Sequence, residues 1–214
     1  MRNLFVGEPT INVLKGTTTV GVVCRDGIIL ATDTRATMGY FVASKRAKKI
    51  YRVDEHMAVT VAGVVGDAQT VVEVLKANAS LYRFSYGRSM PIASAARLAA
   101  NILFYARGAP LLMQAIIGGV DGSEASIYAI DPFGTLTREK CFSTGSGSPI
   151  AYGVLESQFR DGMSLKDAMP IVVKALSSAM KRDAASGDSF DVATVTESGY
   201  RELGEDEKKL LIAN

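Results

Sequence analysis

The 214-residue chain contains one histidine, two cysteines and no tryptophan. Any Ser-His-Asp or Cys-His site would have to use His56, which follows Asp54-Glu55 in a turn-like stretch and reads as a solvated loop residue. Cys24 and Cys141 lie in apolar, strand-like surroundings without Cys-x-x-Cys spacing. They read as reduced core residues of a cytosolic protein, with neither a disulfide framework nor a metal site expected. Charge of one sign is also missing: 24 Lys and Arg against 22 Asp and Glu leave a net charge of +2, with no overall bias towards nucleic acid or an anionic membrane. Residues 1–16 carry a single arginine and no long apolar run, and read as neither a signal peptide nor a membrane anchor. What is present is enough length for one domain and 48% hydrophobic residues, the composition of a soluble globular protein with a sizeable core.

Apolar periodicity divides the chain into blocks. Thr18-Val20-Val22-Cys24 and Ile28-Leu30 flank Arg25-Asp26-Gly27, the pattern of a hairpin with a three-residue turn and Gly27 in the left-handed position. That register pairs Cys24 with Ile28, gathers the apolar side chains on one face, and sets Thr17 opposite Arg35 and Thr19 opposite Asp33. Strands are expected over 49–52 and 58–62, then a helix opened by Gly63-Val64-Val65-Gly66-Asp67 with Asp67 as N-cap. Helical spacing over 69–82 and an alanine-rich stretch over 91–107, with Pro91 in its first turn, predict a helix pair. Three more strands are expected over 112–118, 125–131 and 135–142, the last two joined by a β-turn at Asp131-Pro132-Phe133-Gly134. A helix over 149–160, another running from the capping box Ser164-Leu165-Lys166-Asp167 towards Arg182, and strands over 191–196 and 200–203 follow, before a charged tail. This order suits a single α+β domain built as a four-layer αββα sandwich, two stacked antiparallel sheets with a helix pair outside each. No linker or solenoid repeat interrupts it.

With histidine and thiol chemistry set aside, the stretch Lys15-Gly16-Thr17-Thr18-Thr19-Val20-Gly21 becomes informative. Threonines suit a strand and glycine the turn before it. Cut between Gly16 and Thr17, however, the chain would begin with a hydroxyl nucleophile and an α-amine of pKa about 7.7 to 8.0 that could take its proton. The β-branch would hold the Thr17 hydroxyl in few rotamers. The hairpin brings Asp33 towards Thr17, and Lys49 ends the run Lys45-Arg46-Ala47-Lys48-Lys49 one strand further on. At an effective dielectric near 20, a positive charge about 4 Å from a developing oxyanion contributes roughly 4 kcal/mol of raw attraction, and Asp33 would keep such a lysine charged and aimed. A solvated basic patch is the competing reading of that run, and no interleaved aromatics point to nucleic acid. Ser143-Thr144-Gly145-Ser146-Gly147-Ser148-Pro149 could cradle an anion before a helix, but it lacks the P-loop lysine, and a flexible turn is the alternative. Lys181-Arg182-Asp183-Ala184-Ala185-Ser186-Gly187 could be a helix end capped by glycine.

Together and in this order, Gly16-Thr17-Thr18-Thr19-Val20-Gly21, Ala62-Gly63 with Gly66-Asp67, Gly145-Ser146-Gly147-Ser148 and Arg182-Asp183-Ala184-Ala185-Ser186-Gly187 resemble the catalytic β-subunit of the 20S proteasome, an N-terminal-nucleophile hydrolase. The match spans Thr17 to about Leu203, and the later motifs look archaeal. The resemblance implies a leader, residues 1–16, removed by self-cleavage between Gly16 and Thr17, and a single catalytic domain over 17–214. It makes Thr17 both nucleophile and base, Lys49 the activating charge and Asp33 its partner. Gly63 would donate its backbone N–H to the oxyanion. Ser146, Asp183 and Ser186 would orient the Thr17 amine and a bridging water. Ala36, Ala47, Val61 and Val65 would wall the first specificity pocket, favouring large apolar residues before the cut.

No cofactor or metal is implied. The partners implied are proteasome α-subunits, other β-subunits in heptameric rings of an α7β7β7α7 particle, an ATPase unfoldase cap and unfolded protein substrates. The location implied is the cytoplasm, with no nucleic acid and no membrane involved. Two rivals remain: a catalytically silent β-subunit of the same particle, against which the intact Thr17, Asp33 and Lys49 argue, and the related bacterial peptidase of six-membered rings, which matches the later motifs less well. While the Gly16–Thr17 bond persists the catalytic amine is an amide. Asp33 and Lys49, set by the sheets, are still expected within a few ångströms of the Thr17 hydroxyl, with the leader running through or over the cleft.

Overall fold

The computed structural model describes residues 16–213; the remainder of the expected leader, and its course across the cleft, lie outside the described residues. In chain order, β1 (Thr19–Cys24), β2 (Gly27–Asp33), β3 (Ala36–Met38), β4 (Phe41–Ser44), β5 (Ile50–Asp54) and β6 (Met57–Gly63) precede helices α1 (Val65–Tyr86) and α2 (Ile92–Tyr105). Next come β7 (Met113–Asp121), β8 (Glu124–Ile130), β9 (Leu136–Glu139) and β10 (Cys141–Thr144), then α3 (Ser148–Gln158) and α4 (Leu165–Met180). Strands β11 (Phe190–Thr196) and β12 (Gly199–Glu202) and helix α5 (Glu205–Ala213) follow. The architecture is α+β, with two five-stranded sheets ordered β10-β1-β2-β11-β12 and β5-β6-β7-β8-β9, and β3 and β4 paired as a separate hairpin. All of these pairings are antiparallel.

Three apolar clusters explain why these strands read as nearly continuous hydrophobic runs. Val20, Val22, Ile29 and Ala31 of the first sheet meet Leu155, Val172 and Leu176 of α3 and α4. Val59, Val61 and Ile117 of the second meet Val72, Leu75 and Leu103 of α1 and α2. Ile28, Leu30 and Val195 face Ile50, Ile116 and Ile127 between the sheets. Successive residues of β2 therefore point into two different cores, as the twofold period of a strand requires.

That double burial overturns the expected hairpin register. Cys24 pairs with Gly27 across a two-residue turn, and Thr19 faces Thr32. A single apolar face was the wrong criterion: Val20↔Ala31 and Val22↔Ile29 lie on the helix side, while Val23↔Ile28 lies between the sheets. Gly27 has φ +149° and opens β2 instead of forming a left-handed turn; a Cβ there would sit 2.3 Å from the Val195 carbonyl oxygen. Asp33 consequently comes to Thr18, whose carbonyl accepts its N–H at 3.1 Å.

Other boundaries also moved. Helix α1 starts at Val65 with Val64 in the cap position, and Asp67 instead accepts the Leu112 N–H at 2.8 Å, tying the helix to the approach to β7. Pro91 is the N-cap of α2. The strand expected over 135–142 breaks at Lys140, with β9 in the second sheet and β10 in the first beside β1. Gly187 caps no helix, because α4 stops at Met180. The Ser164 cap is formed, its hydroxyl accepting the Asp167 N–H at 3.2 Å, and Gly134 N–H closes the Asp131 turn at 3.1 Å. His56 is not a solvated loop residue: its side chain is 16% exposed, lies between Asp54 and Asp121, and bonds the Met90 carbonyl through Nε2 at 2.9 Å. Both cysteines are free.

Candidate active site

Thr17 precedes β1, and the ladders on either side of that strand fix where it emerges. Thr19 pairs with Thr32 of β2 and with Thr144 of β10, so Thr17 sits between the end of β2 and the loop that follows β10. The Thr17 side chain is buried, and its hydroxyl donates a 2.6 Å hydrogen bond to the carbonyl of Gly16. The nucleophile candidate thus rests against the bond that self-cleavage would break.

At the end of β2, Asp33 is fully buried and accepts four hydrogen bonds. Thr18 N–H at 2.9 Å and Lys49 Nζ at 2.8 Å reach Oδ1; Arg35 N–H at 3.0 Å and Gly187 N–H at 3.1 Å reach Oδ2. Lys49, immediately before β5, is 8% exposed at its side chain. Burial holds its ammonium below the ordinary value of 10.5, and the charge and hydrogen bond of Asp33 only partly offset that. Of the basic run, Lys49 is therefore internal, whereas exposed Lys48 pairs with Glu202.

Thr17 and Lys49 line one cavity of about 280 Å³ together with Gly16 and Gly63. Its apolar wall includes Ala36, Ala47, Val61 and Val65, so all four residues expected of the specificity pocket are gathered at Thr17. Met38, Ala43 and Tyr51 extend that wall. Small side chains on β3, β6 and the start of α1 leave the space open, and its lining is mainly apolar.

The loop after β10 closes on the other side. Gly145, at φ +92°, lies so near Thr17 that a Cβ would come within 1.9 Å of the Thr17 carbonyl oxygen. Ser146 Oγ accepts the Thr17 N–H at 3.3 Å and donates to Asp183 Oδ2 at 2.5 Å. Ser186 donates to the same carboxylate oxygen at 2.7 Å, and its hydroxyl pairs with Thr18 Oγ1 at 2.7 Å. Ser146 thus touches the Thr17 nitrogen directly, Asp183 contacts Ser146, and Ser186 bonds Asp183 and the Thr18 hydroxyl.

Several contributors were not singled out from sequence. Thr18 supplies the N–H and hydroxyl that join β1 to Asp33 and Ser186. Arg35 pins the 183–188 loop, donating to Asp188 Oδ2 and to the Ala184 carbonyl, each at 2.8 Å. Thr37 Oγ1 accepts the Gly16 N–H at 3.3 Å. A signal for Arg35 existed in the Asp-x-Arg spacing at a strand end, which puts both residues on one side of the chain. Among the described residues no group of three His, Cys, Asp or Glu could hold a metal ion, and no helix is long and apolar enough to cross a membrane.

Comparison with known proteins identifies the family. The family model "Proteasome subunit" matches residues 13–195. A "Proteasome subunit beta" of Methanothermobacter thermautotrophicus is 48% identical over 204 residues, covering 95% of this chain and 97% of the relative. Proteins of the same description from Ferroglobus placidus and Methanosarcina mazei are 47% and 46% identical, covering 94% and 92% of this chain and 96% and 94% of their own. On the family model and these relatives, the chain belongs to the proteasome subunit family, as a β-subunit of the archaeal 20S type.

Proposed function

We propose that this β-subunit is a threonine endopeptidase whose nucleophile is Thr17, exposed by self-cleavage after Gly16, on a four-layer N-terminal-nucleophile hydrolase fold. The observation that carries the reading is the Thr17 hydroxyl, held on the Gly16 carbonyl at 2.6 Å in the cavity that also takes in Lys49 and Gly63. In the first step Thr17 Oγ1 attacks the Gly16 carbonyl carbon, the C–N bond breaks, and the hydroxyl proton passes to the departing nitrogen. Water then hydrolyses the resulting ester and leaves Thr17 with a free amine.

In turnover that amine takes the hydroxyl proton as Oγ1 attacks a substrate carbonyl. The Lys49 ammonium favours the developing alkoxide, the Gly63 N–H receives the oxyanion, and the amine returns the proton to the leaving nitrogen. Water releases the acyl group from Thr17. No cofactor enters these steps. Ser146, Asp183 and Ser186 orient the amine and a bridging water. Ala36, Ala47, Val61 and Val65 select a large apolar side chain before the cut.

The same reading places the chain, from Thr17 onward, in heptameric β-rings of an α7β7β7α7 particle in the cytoplasm. There it degrades unfolded proteins delivered by an ATPase cap. Reacting assembled particles with a hydroxyl-directed electrophile and locating the adduct by mass spectrometry tests nucleophile and processing together. The expected product is a chain beginning at Thr17 with the adduct on that residue. Active material that retains residues 1–16, or an adduct elsewhere, would overturn it.

A further inference from the structure

The two halves of the candidate site belong to different sheets. Gly63 and Val61 lie on β6 of the second sheet, whereas Thr17 and the 145–147 loop are held by β1 and β10 of the first. Gln114 crosses that boundary. It lies on β7 directly opposite Ala62, the neighbour of Gly63. Its side-chain carbonyl Oε1 accepts from Thr144 Oγ1 and, at 3.4 Å, from the Gly145 N–H. The next residue is Ser146, which bonds the Thr17 nitrogen, and Gly145 itself abuts the Thr17 carbonyl. Beside this contact lies a cavity of about 390 Å³, lined by Gln114, Ser143, Thr144 and Ser148.

We propose that Gln114 is a positioning residue that sets the end of β10 and the 145–147 loop, and through Ser146 the Thr17 nitrogen, in register with Gly63 on the opposite sheet. The inference rests on the threonine-peptidase reading. What the position requires is an acceptor of the right length, since both observed bonds end on one oxygen. Gln114→Glu keeps such an acceptor; Gln114→Met keeps the length and removes it. The role differs from bulk stabilisation because its loss misplaces a reacting group while leaving the apolar substrate wall intact. Displacements of about 1 Å at a reacting centre cost on the order of a hundredfold in rate.

The test uses assembled particles of wild type, Gln114→Met and Gln114→Glu. Processing is followed by intact mass, and peptide hydrolysis is normalised to the Thr17 that an electrophile can titrate. Gln114→Met is expected to slow self-cleavage and to lower kcat at least about tenfold with KM within about twofold, while Gln114→Glu restores both to near wild type. Wild-type processing and kcat in Gln114→Met would overturn the proposal, as would equal losses in the two variants, which would mark a general packing role. Wild-type particles that neither cleave peptides nor label at Thr17 would instead overturn the peptidase reading, so the two failures are distinguishable.

Discussion

Replacing Asp33 by asparagine tests how far the site depends on one buried carboxylate. Asp33 serves four donors with two oxygens, at 2.8 to 3.1 Å. Asparagine offers one oxygen and one NH2, so either orientation turns the amide hydrogens towards two donors. With its oxygen towards Lys49 and Thr18, the Arg35 and Gly187 N–H groups lose their acceptor, each at a cost of about 1–3 kcal/mol. In the other orientation the 8%-exposed Lys49 ammonium faces another donor. Either way the Lys49 charge has lost its counter-charge, and breaking a buried pair by removing one partner costs about 3–5 kcal/mol. Lysine can escape part of that penalty by releasing its proton, which caps the loss but removes the charge that hydrolysis needs. The expected result is therefore destabilisation of at least about 2 kcal/mol in urea unfolding, from the two orphaned N–H groups alone. It should be accompanied by loss of peptide hydrolysis in whatever particles assemble. A variant within about 1 kcal/mol of wild type, or one that retains hydrolysis, would refute the reasoning.

Lys49→Arg should leave less than about a tenth of the hydrolytic activity, because a planar guanidinium cannot occupy the place of a compact ammonium held 2.8 Å from Asp33; a fluorogenic peptide assay decides it. Burial lowers the Lys49 pKa from 10.5. Between that lowered value and 10.5 the unfolded chain binds the extra proton, so the contribution of Lys49 to stability rises with pH while hydrolysis falls. A pH–rate profile whose alkaline limb began only above 10.5 would contradict this. Gly16→Ala should slow self-cleavage by at least about tenfold, since its Cβ would fall 1.6 Å from Ala185 Cβ and force the attacked carbonyl off the Thr17 hydroxyl; unchanged processing by intact mass would count against that contact. Peptides with leucine or tyrosine before the cut should be cleaved faster than those with glutamate, each buried CH2 contributing about 0.8 kcal/mol and an acid having to shed water unpaired. Fastest cleavage after glutamate would contradict the apolar wall.

The residues around Thr17 were legible only when four short runs were taken together and in order, because each run alone reads as an ordinary strand, turn or helix end. Gly16 and Gly145 flank Thr17 where a Cβ would strike Ala185 and the Thr17 carbonyl, and each stands beside a hydroxyl residue in a short recognisable run. Elements whose placement depends on distant partners were not legible. The β1–β2 register was missed because both faces of those strands are buried, so apolar alternation carries no information about which neighbour lies across. The break at Lys140 was missed because a sheet switch needs no special residue when each half finds a ladder, β9 on β8 and β10 on β1.

Helix α5 was read as a charged tail for a related reason. Lys208 of α5 is buried and bonded to Asp191 of the first sheet at 3.2 Å, and of its apolar residues Leu211 packs against the helix-side core, so the helix is held by one ion pair and a small apolar contact that no amphipathic stripe announces. His56 was likewise misread, since the groups that bury it, Met90 and Asp121, lie far along the chain. The same logic bears on the site. Lys49 and Gly63 were assigned to the site through the family resemblance and not by local sequence, and their geometry relative to Thr17 depends on cross-sheet contacts such as Gln114 to Thr144, which no local pattern reveals. A β-subunit could therefore keep every recognisable motif and still lose activity through a change at one such tie. Intact motifs are necessary for the chemistry argued here, and the ties between the sheets must hold as well.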